Sequence, residues 1–142
     1  MKFTRLHPWR LDYEKAIQVQ ETLRDRLILK KPTGKICTVA GADVSYDKQS
    51  DRFFAGVVVF KLGRHLERVE ERTAVGKARF PYIPGLLSFR EAPILLKVFT
   101  KLKITPDIIL FDGQGIAHPR HFGLASHLGL ILERPSIGCA KT

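Results

Sequence analysis

The sequence predicts an α/β fold, in which helices pack against a mixed central sheet. One amphipathic helical segment and three strand-like segments come first, and the rest of the chain alternates helix, strand, helix and strand. The 142 residues are 44% hydrophobic and 27% charged, which is typical of a folded domain and not of a disordered chain. We therefore expect a single domain over residues 1–142, long enough to bury a core of its own.

The first half of the chain carries one helical pattern and three strand patterns. Residues 11–29 are predicted to form an amphipathic helix, because apolar side chains recur at helical spacing and only Gln20 interrupts the stripe. Strands are predicted over 36–46 and 54–62, with a less regular strand over 65–75. We expect these three strands to form an antiparallel meander.

The second half predicts helices that alternate with buried strands. Two prolines and a glycine make 80–85 a stiff loop. Residues 88–102 then show the i, i+3, i+4 apolar spacing of a helix. The run 108–111 is apolar throughout, as expected of a strand buried on both faces in a parallel sheet. A helix over 121–132 and a strand over 135–139 complete the predicted order.

The charge of the chain favours a polyanionic partner such as nucleic acid. Lys and Arg number 24 against 14 Asp and Glu, which gives a formal net charge of +10, and neutralised phosphates release counterions. No apolar run is long enough to span a bilayer, and the first ten residues lack the apolar segment of a secretory signal. The two cysteines, Cys37 and Cys139, do not make a disulfide framework. These features predict a cytoplasmic protein that binds no membrane.

Two aspartates occupy strand positions at which a carboxylate is costly. Asp43 interrupts the apolar strand 39–44, and Asp112 ends the run 108–111. A buried carboxylate needs a hydrogen bond, a charged partner or a cation. If the two strands are parallel neighbours, both carboxylates meet at the carboxyl end of the sheet, where their oxygens would suit Mg²⁺ or Mn²⁺. The alternative is a structural role, such as an Asx turn or a helix cap at Asp112.

Three further features each allow two interpretations. Ser88 and Glu91 match the S-x-x-E capping box, which favours a capping role for Glu91, although a helix that begins nearer Arg90 would free it. Tyr82 in the stiff loop is predicted either to wedge into a base stack or to fold back onto the core. The cluster 118–121 precedes a helix, so it would contact a phosphate or form a solvated loop.

Four blocks of the sequence together resemble the endonuclease V family, the deoxyinosine 3′-endonucleases. They are AGADVSYD (40–47), RFPYIPGLLSFREAP (79–93), FDGQGIAHPRHFGLASHLG (111–129) and PSIGCAKT (135–142). The similarity extends from about residue 11 to the last residue and preserves order and spacing. The combination of PYIPG with DGQG-x-x-HPR makes it specific. The resemblance implies an RNase H-like fold.

The resemblance also implies an activity, a cofactor and a partner. It implies a metal-dependent endonuclease of nucleic-acid repair, which nicks DNA or RNA at the second phosphodiester bond on the 3′ side of inosine. The products would carry 3′-hydroxyl and 5′-phosphate ends. Mg²⁺ would be the cofactor, with Mn²⁺ as a substitute, and the partner would be DNA or RNA that contains deaminated bases.

Site residues follow from the same resemblance, block by block. Asp43, Glu91 and Asp112 become the metal-binding and catalytic carboxylates, which replaces the capping interpretation of Glu91. Lys141 becomes a catalytic residue near the scissile phosphate, and Tyr82 becomes the wedge. The other residues that are expected to contact the substrate are Pro81, Ile83, Pro84, Gly85, Leu87, Gly113, Gln114, Gly115, His118, Arg120, Gly123 and Leu124.

Members of the family continue well past the position of residue 142. We therefore expect a C-terminally truncated member, an incomplete fold with one face of the sheet bare, and weak or absent activity. Two alternatives follow. The chain is an inactive fragment that only binds nucleic acid, or an RNase H-like nuclease without specificity for a lesion.

Overall fold

The computed structural model describes residues 1–141, so Thr142, the last residue of the fourth resembling block, lies outside the described residues. This part of the chain folds into three helices and five strands, in the predicted order. They are α1 (Tyr13–Arg24), β1 (Thr38–Asp47), β2 (Arg52–Lys61), β3 (Glu67–Lys77), α2 (Leu87–Lys101), β4 (Ile108–Asp112), α3 (Leu124–Leu132) and β5 (Ser136–Cys139).

The five strands form one mixed sheet in the order β3-β2-β1-β4-β5. β1, β2 and β3 are antiparallel neighbours, which confirms the predicted meander. β4 then lies parallel to β1, with Val39 opposite Ile108 and Ala42 opposite Phe111. β5 continues the sheet parallel to β4. The carboxyl ends of β1, β4 and β5 therefore point to the same end of the sheet.

The main core lies between the sheet and the helices α2 and α3. Alternate residues of β2, such as Phe53 and Val57, are buried there with Phe99 of α2 and Phe111 of β4. Phe54, on the other face of the sheet, is 43% exposed. The open face agrees with the expectation that one side of the sheet lies bare.

The helix α1 is shorter than its sequence pattern. It begins where the side chain of Asp12 accepts a hydrogen bond from the backbone N–H of Lys15 at 2.8 Å. It ends at Arg24, one residue beyond Leu23, its last buried side chain. The apolar pattern continues to residue 29, but Ile28 is 80% exposed and has no surface to pack against. Periodicity therefore extends beyond the packed part of the helix.

The helix α3 begins later than predicted. His121 has a φ of 56°, which is left-handed and not helical, so a helix cannot start there. Gly123 is the N-cap, and the helix starts at Leu124. No helix within residues 1–141 is both long and apolar enough to cross a membrane.

A second, smaller core fixes the stiff loop at 80–85. Phe80, Leu86 and Phe89 are buried with Ala16 of α1, and Trp9 packs against them. This cluster joins the N-terminal segment, α1 and the first turn of α2. The loop between Phe80 and Leu86 is thus anchored at both ends by apolar packing.

Candidate functional site

Two of the predicted carboxylates lie beside each other on neighbouring strands. The parallel register of β1 and β4 ends at the pair Ala42 and Phe111, and one further step places Asp43 beside Asp112. Ala42 and Phe111 are buried in the core, whereas Asp43 and Asp112 point away from it and are exposed. The sequence prediction that these carboxylates meet at the carboxyl end of the sheet is therefore consistent with the strand register.

The third carboxylate, Glu91, reaches the same place from α2. Burial raises the pKa of Glu91, and the negative charges of Asp43 and Asp112 raise it further, to about 7. An effect of both aspartates on Glu91 requires that all three groups lie near one another. Three elements that are far apart in the sequence thus bring three negative charges together.

The capping interpretation of Glu91 is wrong. The helix α2 begins at Leu87 with Leu86 as its N-cap, and no side chain caps it. The hydroxyl of Ser88 instead lies 2.8 Å from Nδ1 of the buried His127. Because the hydroxyl of Ser88 is used by His127 of α3 and no side chain caps α2, Glu91 has no capping role and faces the two aspartates.

The donor atoms of these carboxylates fit a hard divalent cation, but their side chains are not closed around one. Oxygen ligands of this kind are those that Mg²⁺ and Mn²⁺ favour. Within residues 1–141, no three His, Cys, Asp or Glu side chains form a group ready to hold a metal ion. One oxygen of Asp43 accepts a hydrogen bond from the backbone N–H of Val44 at 2.8 Å. The metal role of the three carboxylates stays a prediction.

The loop Pro81–Gly85, here called the PYIPG loop, carries the exposed Tyr82 above a rigid base. The Tyr82 side chain is 71% exposed, so it has not folded back onto the core. Gly85 has a φ of 84°, a conformation that glycine adopts without strain. Pro81 and Pro84 are also exposed, and Ile83 is half-buried. The alternative that Tyr82 packs on the core is therefore wrong, and its role as a wedge stays a prediction.

The carbonyl of Gly85 accepts three hydrogen bonds, which come from two distant segments. Gln20 of α1 donates from Nε2 at 2.8 Å. His118 and Arg120, which precede α3, lie 2.8 Å and 3.0 Å from the same oxygen. Arg120 also donates from Nε to Oε1 of Gln20 at 2.6 Å. We call these three side chains the Gly85 clamp.

The clamp shows what His118 and Arg120 contact within the chain. His118 is buried and Arg120 is half-buried under the loop, and their predicted contact with nucleic acid stays a prediction. Their hydrogen bonds lie within the chain, so they position the PYIPG loop. Gln20 was visible in the sequence only as the polar interruption of the apolar stripe on α1, and its partner was not predictable.

Gly123 permits a close approach of its backbone to the DGQG segment (Asp112–Gly115). A Cβ atom on Gly123 would lie 2.3 Å from the carbonyl oxygen of Gln114. Gly123 donates its N–H to the Gly115 carbonyl at 2.8 Å, and Gly113 donates to the Cys139 carbonyl at 3.2 Å. These contacts hold the segment against α3 and β5. Whether Leu87, Gly113, Gln114, Gly115, Gly123 and Leu124 also enclose a base is not tested by this geometry and stays a prediction.

Lys141 lies at the same edge of the sheet as the carboxylates. The register of β4 and β5 places Cys139 opposite Asp112, and Lys141 follows two residues later with an exposed side chain. A positive charge is therefore available near the carboxyl ends of β1 and β4. The catalytic role of Lys141 stays a prediction.

A pair of histidines, the half-buried His7 and the buried His127, ties the N-terminal segment to α3 and was not anticipated from the sequence. Nε2 of His7 lies 2.6 Å from Nε2 of His127, and Nδ1 of His7 lies 2.8 Å from the Pro8 carbonyl. Because that carbonyl only accepts, His7 carries its proton on Nδ1, and His127 donates from Nε2. Ser88 then donates to Nδ1 of His127. The apolar neighbours of His127 in α3 were the only signal in the sequence.

Comparison with known proteins identifies relatives of this chain. The family model described as Endonuclease V matches residues 21–142. A curated relative named Endonuclease V, from Dictyoglomus turgidum, is 45% identical over 133 residues, covering 94% of this chain and 57% of that protein. The chain thus spans less than two thirds of the length of this relative.

Solved structures match over the same part of the chain. The endonuclease V from Streptomyces avermitilis superposes with a TM-score of 0.88 and 44% identity, over 100% of this chain and 63% of that one. The endonuclease V from Ciona intestinalis was solved in complex with a DNA containing an inosine followed by a ribo-adenosine. It superposes with a TM-score of 0.79 and 33% identity, over 91% of this chain and 57% of that one. These neighbours have an RNase H-like fold, so the predicted fold is confirmed.

Proposed function

Because this chain belongs to the endonuclease V family, we propose that it is a metal-dependent endonuclease that nicks inosine-containing nucleic acid. The cut falls at the second phosphodiester bond on the 3′ side of the lesion and leaves 3′-hydroxyl and 5′-phosphate ends. The observation that carries the proposal is the convergence of Asp43, Glu91 and Asp112 from β1, α2 and β4. A relative bound to inosine-containing DNA supports the choice of substrate.

The three carboxylates would hold Mg²⁺, or Mn²⁺ in its place. Such a cation lowers the pKa of water and stabilises charge on the attacking and leaving oxygens of a phosphodiester. The half-buried Glu91 and the two exposed aspartates repel one another, and a positive charge between them would remove that repulsion. The carboxylates thus provide the negative pocket, and Lys141 would neutralise part of the charge on the scissile phosphate.

Recognition would depend on the PYIPG loop and the DGQG segment. Tyr82 stands exposed on a loop that the Gly85 clamp holds in place, so it can fill the gap left by an extruded base without a change of the loop. A deaminated base pairs poorly, so its extrusion costs less than that of a normal base. A close-fitting backbone pocket would exclude guanine, whose exocyclic amine hypoxanthine lacks.

A second candidate is a chain that binds nucleic acid and does not cut it. The observation that favours it is that, within residues 1–141, no three His, Cys, Asp or Glu side chains form a group ready to hold a metal ion. A third candidate, an RNase H-like nuclease without lesion specificity, uses the same carboxylates and differs in the role of the PYIPG loop.

One assay separates the three candidates. End-labelled strands with a single inosine, and matched strands without it, are incubated with the chain in Mg²⁺, in Mn²⁺ or in EDTA. The proposal expects a cut only in inosine strands, only with metal, and at the second bond on the 3′ side. A gel shift without cutting supports the binding protein, and equal cutting of both strands supports the unspecific nuclease.

A further inference from the structure

A cleft of about 600 Å³ opens between the N-terminal segment, β3 and α2, beside the PYIPG loop. Its described lining contains five basic residues and no acidic one. One belongs to the N-terminal segment, two lie at and just after the end of β3, and two belong to α2. They are Arg10, Lys77, Arg79, Arg90 and Lys97.

Four of these cations have no partner within the part of the chain that the structure describes. Arg90 is engaged, because it donates to the Phe80 carbonyl at 2.8 Å and its guanidinium lies 5.0 Å from the centre of the Phe53 ring. The other four are exposed, and among residues 1–141 their side chains take part in no salt bridge or hydrogen bond. The rim of the cleft is thus a set of uncompensated positive charges.

The floor of the cleft is aromatic. Phe80 and Phe89 are buried beneath it, while Trp9 is only partly buried and packs edge-on against Phe89, with 6.1 Å between ring centres. Pro81, the first residue of the PYIPG loop, also lines the cleft, and the next residue is the exposed Tyr82. A bound chain that leaves the cleft beside Pro81 would therefore contact Tyr82 next.

We infer that this cleft binds an unpaired segment of a nucleic-acid strand, with phosphates on the basic rim and a base against Trp9. This inference rests on the proposed function, since it places part of the same nucleic-acid substrate in the cleft beside the PYIPG loop. A charged groove that is lined with aromatic side chains is the usual means of holding single strands. The volume lies within the range of about 300–1,000 Å³ of small-molecule pockets, which suits a nucleotide and not a duplex.

The two parts of the cleft together select this occupant. A free phosphate or an acidic peptide would match the basic rim but leave the aromatic floor unused. A nucleotide of a strand uses both, because its phosphates are anionic and its base presents a flat ring.

Trp9 is the only tryptophan of the chain, so its fluorescence reports directly on the cleft. The whole chain is titrated with a short single-stranded oligonucleotide of ordinary bases, in EDTA and at several salt concentrations. The double variant Lys77→Gln/Lys97→Gln is compared with Lys61→Gln/Arg64→Gln. Lys61 pairs with Glu67 at the opposite end of β2 and β3 from Lys77, and both doubles remove two exposed positive charges.

The oligonucleotide is expected to change the emission of Trp9. The slope of log affinity against log salt should fall by about 0.7 for each lost phosphate contact in the cleft double, and stay near the wild-type value in the control double. Equal slopes in the two doubles, or an unchanged Trp9 emission at saturation, would overturn the inference. So would polyglutamate, which has no base, if it changes the emission as strongly at equal charge.

Because the oligonucleotide lacks inosine and EDTA removes metal, this result does not depend on cleavage. Binding at Trp9 by a chain that cuts nothing would refute the proposed nuclease and leave the cleft intact. Inosine-specific nicking together with an unchanged Trp9 emission would refute strand binding in the cleft and leave the proposed nuclease intact.

Discussion

The PYIPG loop and the three carboxylates lie close to the start of α2, yet their interactions differ in kind. The Gly85 carbonyl accepts hydrogen bonds from Gln20, His118 and Arg120, all within the chain. The carboxylate of Glu91 instead faces two other negative charges, and its pKa rises to about 7. The loop is held by hydrogen bonds within the chain, whereas the three carboxylates repel one another.

This difference suggests that recognition and cleavage are prepared to different degrees. A loop that is held by buried hydrogen bonds keeps its shape before a substrate arrives, which reduces the entropy lost on binding. The repulsion among the carboxylates, by contrast, is relieved only by a positive charge, either a proton on Glu91 or a cation between the three groups. Four predictions test this contrast.

The largest effect is expected for the carboxylates. Asp43→Ala should reduce metal-dependent nicking of inosine strands on the order of a thousandfold, because several kcal/mol of charge stabilisation is lost. Single-turnover cleavage measures this, and strand binding should remain measurable by gel shift. The control is Glu14→Gln, which removes an exposed carboxylate on α1. Cutting by Asp43→Ala at the wild-type rate would remove Asp43 from the metal site.

The next effect concerns the stability of the loop. A Cβ on Gly85 would lie 2.8 Å from the terminal nitrogen of Arg120 that donates to the Gly85 carbonyl. Gly85→Ala should therefore displace the hydrogen bond from Arg120. The control Gly34→Ala has a similar positive φ but meets nothing within 4 Å, so both variants share the backbone strain. We expect Gly85→Ala to lower the free energy of unfolding by about 1.5–3 kcal/mol more than the control, measured in urea. Equal losses would show that the clamp does not stabilise the loop.

Tyr82 should affect specificity and leave stability unchanged. Tyr82→Ala is expected to reduce discrimination between inosine and undamaged strands by ~1–3 kcal/mol, the usual scale for an aromatic that stacks on a base. Because the side chain is 71% exposed, the melting temperature should not fall. Tyr13→Ala, a half-exposed tyrosine on α1, is the matched control. Unchanged discrimination would assign Tyr82 no part in recognition.

The smallest effect is a pH dependence of stability from the histidine pair. Burial, with the charge of His7, lowers the pKa of His127 well below its ordinary 6.5. The unfolded chain takes up this proton below pH 6.5 and the folded chain does not, so His127 lowers the free energy of unfolding as pH falls. Glu91 acts in the opposite direction, because its folded pKa of about 7 is raised, so its protonation stabilises the fold below pH 7.

Comparison with His127→Gln isolates the histidine, since Glu91 contributes equally to both proteins. The loss of stability between pH 7.5 and pH 5.5, measured by urea unfolding, should be smaller in His127→Gln than in the wild type. His65→Gln, a change at an exposed histidine, should keep the wild-type dependence. The same pH dependence of stability in all three proteins would contradict the assignment of this effect to His127.

The order of the elements was predictable because hydrophobic periodicity is a local property. The run 108–111 predicted a parallel strand buried on both faces. The structure pairs it in parallel with β1 and β5 but buries only Ile109 and Phe111, because the other face of the sheet is open. The placement of Asp43 beside Asp112 followed from treating the two strands as parallel neighbours, although Asp43 lies within β1 and only Asp112 ends its strand. In each case the signal lay within one segment or in a rule for the edges of parallel sheets.

The errors arose where the partner of a side chain is distant in the sequence. Ser88 matched a capping box, but its hydroxyl pairs with His127, 39 residues away. The hydrogen bonds of His118 and Arg120 to the Gly85 carbonyl were likewise not predictable, because they join positions 33 and 35 residues apart. Local spacing cannot show which buried polar groups will satisfy one another, because tertiary packing decides it.

Binding of Mn²⁺ to the chain, measured by the relaxation of water protons in the absence of nucleic acid, tests the central claim most directly. If Asp43, Glu91 and Asp112 share a cation, the wild type and Glu14→Gln should both bind Mn²⁺ saturably, and Asp112→Asn should bind it much more weakly. Equal Mn²⁺ binding by all three proteins would contradict a shared metal site.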